Sequence, residues 1–188
     1  MQFKTYRLWP TQILTTTYQN NIDCMIDEIL NLSRFPNNII KSNYGGWHSE
    51  TNLFKNPKFF ELCNFIDNFC NASLGLNVKF HQMWACINKK YDHNVIHTHN
   101  AYQLSGVFYL KTSKDCGDIV FRDPRSGALH SPHFIYNTHK KNFVDQVFEY
   151  FTPKENLIIL FPSFLEHFVL PNLSDQDRIS ISFDLTFY

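Results

Sequence analysis

Two imidazoles separated by one residue, His97-Thr98-His99, form the first group in this sequence that could do chemistry. They stand just before an expected strand, where alternate residues project to the same side, so both rings can converge on one metal ion. With nine histidines in 188 residues a single H-x-H can also arise by chance, leaving a pair of surface or hydrogen-bonded histidines as the plain alternative. A third imidazole, His167, follows the apolar run Leu157 to Phe161 and the turn residues Pro162-Ser163, and in a barrel it can come opposite His97. Eleven residues later stands Arg178, then Ser180. A guanidinium inside an apolar barrel needs a carboxylate to offset its desolvation, and a dicarboxylic acid ligand would supply one. A core histidine at 167 and an internal salt bridge at 178 stay open as structural readings.

The elements that must position these residues follow from periodicity. Ile22, Met25, Ile26, Ile29 and Leu30 recur at helical spacing after a polar Asn-Asn start, and Phe59, Leu62, Cys63, Ile66 and Phe69 do so after Pro57. Two amphipathic helices are therefore expected in the first third. Between them Ser42 to Trp47, with paired glycines, reads as a tight or strained loop. From Asn77 onward the chain turns to short β-branched or aromatic runs: Val78 to Ile87, Gln103 to Leu110, Asp118 to Phe121, Gln146 to Tyr150, Asn156 to Phe161, Phe168 to Leu170 and Arg178 to Phe187. The pattern predicts a mainly β (α+β) fold, a double-stranded β-helix or jelly roll with the N-terminal helices packed outside. In the last run Ile179, Ile181, Phe183 and Leu185 share one face, and Arg178, Ser180, Ser182 and Asp184 the other. If the apolar face meets the helices, Arg178 and Ser180 point into the barrel.

Composition narrows the function classes. At 188 residues, 44% hydrophobic and 18% charged, the chain is expected to be one globular domain over 1–188. Aromatic residues reach 16%, which suits pleated surfaces. Seventeen basic against seventeen acidic residues leave no global field of the kind that binds nucleic acid or anionic membrane. The five cysteines contain no CxxC pair and follow no signal-like segment, so they read as reduced thiols in a cytoplasmic protein. No apolar run approaches membrane-spanning length.

Order and spacing together resemble a known family. Asn88, His97-Thr98-His99, Leu104-Ser105-Gly106-Val107-Phe108-Tyr109-Leu110, Gly117-Asp118-Ile119-Val120-Phe121-Arg122-Asp123-Pro124-Arg125, Leu160-Phe161-Pro162-Ser163 with His167, and Arg178-Ile179-Ser180-Ile181-Ser182-Phe183 are similar to the iron(II) and 2-oxoglutarate-dependent oxygenase superfamily. More narrowly they resemble an oxygenase subgroup with H-x-H…H…R-x-S motifs found in marine bacteria and phages, and Ser42 to Ser49 looks like its N-terminal signature. The resemblance implies Fe(2+) and 2-oxoglutarate as cofactors. It implies His97, His99 and His167 as metal ligands and Arg178 with Ser180 as the pair holding the distal carboxylate. Tyr109 matches a tyrosine that often donates to that carboxylate, and Asn88 lies near another cosubstrate contact. Beyond the metal ligands no catalytic residue is implied. His99 stands where most members have aspartate or glutamate; neutral imidazole is a good ferrous ligand, but the first shell then lacks one negative charge.

The implied reaction is hydroxylation by dioxygen of an unidentified small molecule or protein side chain, with release of succinate and carbon dioxide. Tyr44 to Trp47 and Arg122 to His139 are the expected rim loops. Two other readings compete. A three-histidine cupin-type dioxygenase without 2-oxoglutarate would explain His99 but not Arg178 and Ser180, and a non-catalytic jelly-roll binding module would need no redox function.

Overall fold

The computed structural model describes residues 2, 4, 10–35, 38–125 and 147–188. Among these residues eleven strands form two antiparallel sheets, and two α-helices precede the longer strands. In chain order these are β1 (Leu14–Thr17), α1 (Asp23–Leu32), β2 (Asn43–Tyr44), β3 (Trp47–His48), α2 (Phe60–Leu74), β4 (Val78–Asn88), β5 (His93–His97) and β6 (Leu104–Lys111). The remaining strands are β7 (Ile119–Arg122), β8 (Phe148–Phe151), β9 (Leu157–Pro162), β10 (His167–Val169) and β11 (Arg178–Phe187). The six-stranded sheet runs β1-β9-β6-β11-β4-β3 and the five-stranded sheet β2-β5-β10-β7-β8. This is the jelly roll that the sequence predicts, with the helices outside it.

Both helices form where the apolar period places them. Asn21 accepts the backbone N–H of Asp23 at 2.8 Å, closing the entry to α1, whose Met25 and Ile29 are buried. A short turn from Pro57 leads into α2, which buries Leu62, Ile66 and Cys70 and ends where Gly75 takes φ 70°. These side chains share one core with Met83, Ala85 and Ile87 of β4, Phe108 and Leu110 of β6, and Ile179, Ile181, Phe183 and Leu185 of β11. The alternation read from β11 therefore holds: its apolar face meets the helices and its polar face turns inward. A second core of Val107, Tyr109, Ile119, Phe121, Ile159, Phe161 and Leu165 lies on the inner side, joining β6 and β9 of one sheet to β7 of the other.

Three differences from the sequence expectation bear on the site. His97 ends strand β5 rather than preceding a strand by itself, and β5 was not expected because His93-Asn94 begins it and Val95 and Ile96 are both exposed, with no alternation. The Ser42 to Trp47 loop is flanked by two-residue strands, β2 and β3, although its glycines do adopt positive φ, 72° at Gly45 and 69° at Gly46. Strand β1, rich in threonine, pairs along β9 at the sheet edge. No helix among the described residues is long and apolar enough to cross a membrane.

All five cysteines are free thiols. Burial pushes Cys63 and Cys86 up to about 12 and Cys70 up to about 11. The fold thus favours the neutral thiol, a stability that is complete below the unfolded thiol range near pH 8.5 and is lost as pH rises through the folded values. The urea midpoint should fall between about pH 8.5 and 11, less steeply in Cys63→Ala. In the native protein at neutral pH a maleimide should label exposed Cys24 well before buried Cys70, Cys86 and Cys116.

Candidate active site

Antiparallel pairing of β5 with β10 sets His97 directly opposite His167, with ring centroids 4.3 Å apart. His99 lies two residues past the end of β5, where its backbone N–H donates to Ser163 O at 2.8 Å. That anchor brings its ring within 5.0 Å of His97 and 5.3 Å of His167. The Nδ1 of His97 donates to Val95 O at 2.7 Å, and the Nδ1 of His167 to Leu165 O at 2.9 Å. The Nδ1 of His99 lies 3.1 and 3.2 Å from the two carboxylate oxygens of Asp184. With each Nδ1 serving as donor, the lone pair of each neutral ring is on Nε2.

One nitrogen from each of the three rings lies within 4.8 Å of the others, a spacing and donor set that fit a single transition-metal ion. Burial, reinforced by the neighbouring imidazoles, pushes His167 down to about 3, and burial likewise lowers His97. Both therefore stay neutral, the form that ligates. Packing fixes the rings: His48 stacks on Trp84 at 5.6 Å and 9°, Trp84 on His99 at 5.8 Å and 21°, and His99 on His167 at 11°.

The histidines open onto a cavity of about 580 Å³. Arg178 enters it from β11 and is 2% exposed. Its Nη1 donates to the carbonyl oxygens of Cys116, Gly117 (3.1 Å) and Leu170 (3.5 Å), and the guanidinium meets no protein carboxylate among the described ion pairs. Among the described residues the internal salt bridge considered from the sequence is thus not made. Ser180, Tyr109 and Asn88 line the same cavity. Sheet register explains the grouping, since Arg178 pairs with Asn88 and Ser180 with Tyr109. Burial raises the Tyr109 hydroxyl further above its usual range, and the Arg178 charge opposes that rise; it remains a donor.

All seven residues singled out from the sequence therefore line one cavity, the three imidazoles at one part of it and Arg178, Ser180, Tyr109 and Asn88 at another. Asp184, 1% exposed, was not assigned a role from the sequence. Its signal was a second charged residue on the inward polar face of β11, six positions beyond Arg178. Trp84 and His48 were missed too, because nothing local marks a stacking partner. At the mouth stand Lys41, Ser42, Asn100 and Tyr102, whereas Tyr44 is exposed beside β5 and stacks on His93. Of the other expected rim segment, Arg122 pairs with Glu166 and Arg125 with Asp123, and residues 126–139 lie outside the described residues.

A family model described as "Putative 2OG-Fe(II) oxygenase" matches residues 82–184, more than half of the chain. No curated protein matches. The fold is shared with solved structures of low sequence identity. A prolyl-4-hydroxylase from Pseudomonas putida is 14% identical, with a TM-score of 0.65 over 94% of this chain and 92% of that one. HygX from Streptomyces hygroscopicus, solved with nickel and 2-oxoglutarate, is 11% identical, with a TM-score of 0.64 over 94% and 83%. A viral collagen prolyl hydroxylase from Paramecium Bursaria Chlorella virus-1, in a 2OG complex, is 13% identical, with a TM-score of 0.61 over 92% and 94%.

The seat of Arg178 predicts a sensitivity at Gly117. A Cβ there would lie 2.1 Å from Leu170 O and 2.8 Å from Arg178 Nη1, at a φ of +90°. Gly75 also has positive φ, but nothing stands within 4 Å of its added Cβ. Gly75→Ala should cost about 1–2 kcal/mol of left-handed strain, and Gly117→Ala clearly more, because backbone must move. Urea unfolding of the two variants checks the order.

Proposed function

The chain belongs to the 2OG-Fe(II) oxygenase family, and from that premise we propose that His97, His99 and His167 hold its iron(II) while Arg178, Ser180, Tyr109 and Asn88 receive its 2-oxoglutarate. It is an iron(II)- and 2-oxoglutarate-dependent oxygenase acting with dioxygen on a further substrate. The observation that carries the residue assignment is the pairing, in one cavity, of three convergent imidazoles with a buried guanidinium that meets no carboxylate among the described residues. A three-histidine dioxygenase without 2-oxoglutarate leaves that guanidinium unexplained. We further read residues 1–188 as one oxygenase domain, because the helices share a core with the strands of the matched segment.

When bound, iron and 2-oxoglutarate supply oxidative decarboxylation of the cosubstrate to succinate and carbon dioxide, coupled to oxidation of a substrate C–H bond. The protein's residues bind and orient. Arg178 offers the distal carboxylate a charged partner in a site poor in water, and Ser180 and Tyr109 present hydroxyl donors beside it. Val107, Ile119 and Phe161 supply apolar wall to the same cavity. None of these groups needs to act as a general base. The substrate, a small molecule or a protein side chain, enters past Lys41, Ser42 and Tyr102.

Anaerobic titration with ferrous iron and 2-oxoglutarate should develop the weak visible charge-transfer band of the chelate, and aerobic turnover should release succinate only when iron is present. Absence of both overturns the assignment. Arg178→Ala should weaken 2-oxoglutarate binding by about 2–5 kcal/mol while sparing metal binding. Calorimetry with iron present measures the first and chelator competition the second. At position 99 the expected order of iron affinity is parent, then His99→Asp, then His99→Ala. The aspartate is too short to reach the same point, and its carboxylate would face that of Asp184. An alanine variant with parental affinity would remove His99 from the ligand set.

A further inference from the structure

We propose that Asp184 is a positioning residue that orients His99 and supplies, through its imidazole, the negative charge missing from the ligand set; this rests on the assignment of His99 as a ligand. Three observations point the same way.

Asp184 is 1% exposed, and its neighbours are incomplete for a buried carboxylate. Ser105 Oγ, 2.7 Å from Oδ1, has one proton to give and can take the Ser163 hydroxyl as donor at 2.9 Å. The other contact is His99 Nδ1. No lysine or arginine pairs with Asp184 among the described ion pairs. A buried anion in such surroundings is costly unless a cation stands close by. A divalent ion on the far nitrogen of His99 would be that cation.

The three imidazoles are also supported unequally. His97 and His167 give their Nδ1 protons to backbone carbonyls, which are neutral acceptors. Only His99, at the position where the resemblance leads one to expect a carboxylate ligand, has a carboxylate behind it. Accepting that proton fixes the tautomer with Nε2 directed at the ion and raises the basicity of the ring. The charge is moved one imidazole outward, and the site keeps two plain histidines and one anionic arm.

Finally, Asp184 sits where the pairing of β11 with β4 breaks register, between Asp184 and Leu185, while β6 keeps Ser105 opposite it. The extra residue at that break is His81 of β4, so β11 itself alternates without interruption, sending Asp184 inward under His99 and Leu185 to the helix-facing core.

The test is a double-mutant cycle on the full chain, reading the affinity of anaerobic ferrous iron, and of Ni(II) as a redox-silent probe, by competition with a chelator. Asp184→Asn should lower affinity about 10–100-fold. In a His99→Ala background the same change should alter affinity by less than about twofold, because the arm it acts through is gone. A parental affinity in Asp184→Asn, or an equal loss in both backgrounds, overturns the proposal. If Asp184→Asn does not fold, the nitrogen-15 spectrum of the parent loaded with Zn(II) decides. His99 should show a protonated, hydrogen-bonded Nδ1 with Nε2 on the metal, and Nδ1 on zinc overturns the proposal. A parent that binds no metal overturns the active-site assignment itself, whereas a parent that binds normally beside an unchanged Asp184→Asn overturns this inference alone.

Discussion

Arg178 lies almost wholly out of water, and the cost of that burial is offset by three backbone carbonyls on two neighbouring segments: Cys116 and Gly117 ahead of β7, and Leu170 after β10. The contact ties β11, in the middle of the six-stranded sheet, to loops at the end of the five-stranded sheet. A guanidinium has five N–H donors in a rigid plane, so seating one edge on carbonyls fixes where the other edge points. Gly117 makes the seat, because a side chain there would meet both Leu170 O and the guanidinium. Cavity shape, the aim of the guanidinium and the spacing of the two sheets thus share one anchor.

Much of this arrangement is readable in the sequence because β11 carries two signals at once. Its isoleucines and Phe183 repeat every second residue on the helix-facing side, and the same period places Arg178 and Ser180 inward. Period 2 in an apolar run admits few other solutions. Helices α1 and α2 were legible for the same reason, their apolar positions recurring at 3.6. What stayed hidden lacks any local period. Strand β5 has exposed Val95 and Ile96 and is held by pairing with β10 and β2, a tertiary condition. The two-residue strands β2 and β3 exist only because β5 and β4 lie beside them. The partnership of Asp184 with His99 joins positions 85 residues apart, and no spacing rule relates them.

Packing does for the rings what hydrogen bonds do for the tautomers. Each metal-side imidazole has one nitrogen committed to an oxygen, yet a ring can still swing about its bonds. The near-parallel series of His48, Trp84, His99 and His167 removes that freedom, since tilting one ring would press it into the next. His48 is itself held by Nδ1 to Ser49 O at 2.6 Å, and burial lowers its proton affinity, so the outer end of the series remains an uncharged ring. Trp84 is therefore worth more to the site than its distance from the cosubstrate end suggests.

The two sheets divide the chemistry. His97 and His167 come from β5 and β10 of the five-stranded sheet, whereas Asn88, Tyr109, Arg178 and Ser180 come from β4, β6 and β11 of the six-stranded sheet. His99, on the loop leaving β5, reaches across to the second sheet through Asp184 on β11, as Arg178 reaches back to the loops beside β7 and β10. The distance from the three imidazoles to the guanidinium is therefore set by how the sheets pack, and that spacing is filled by Val107, Tyr109, Ile159 and Phe161 against Ile119 and Phe121. Close-packed side chains of this kind resist compression and collapse alike. A truncation among them would change sheet separation before it changed any functional group, so the geometry proposed for the site depends also on residues that touch neither the three imidazoles nor Arg178.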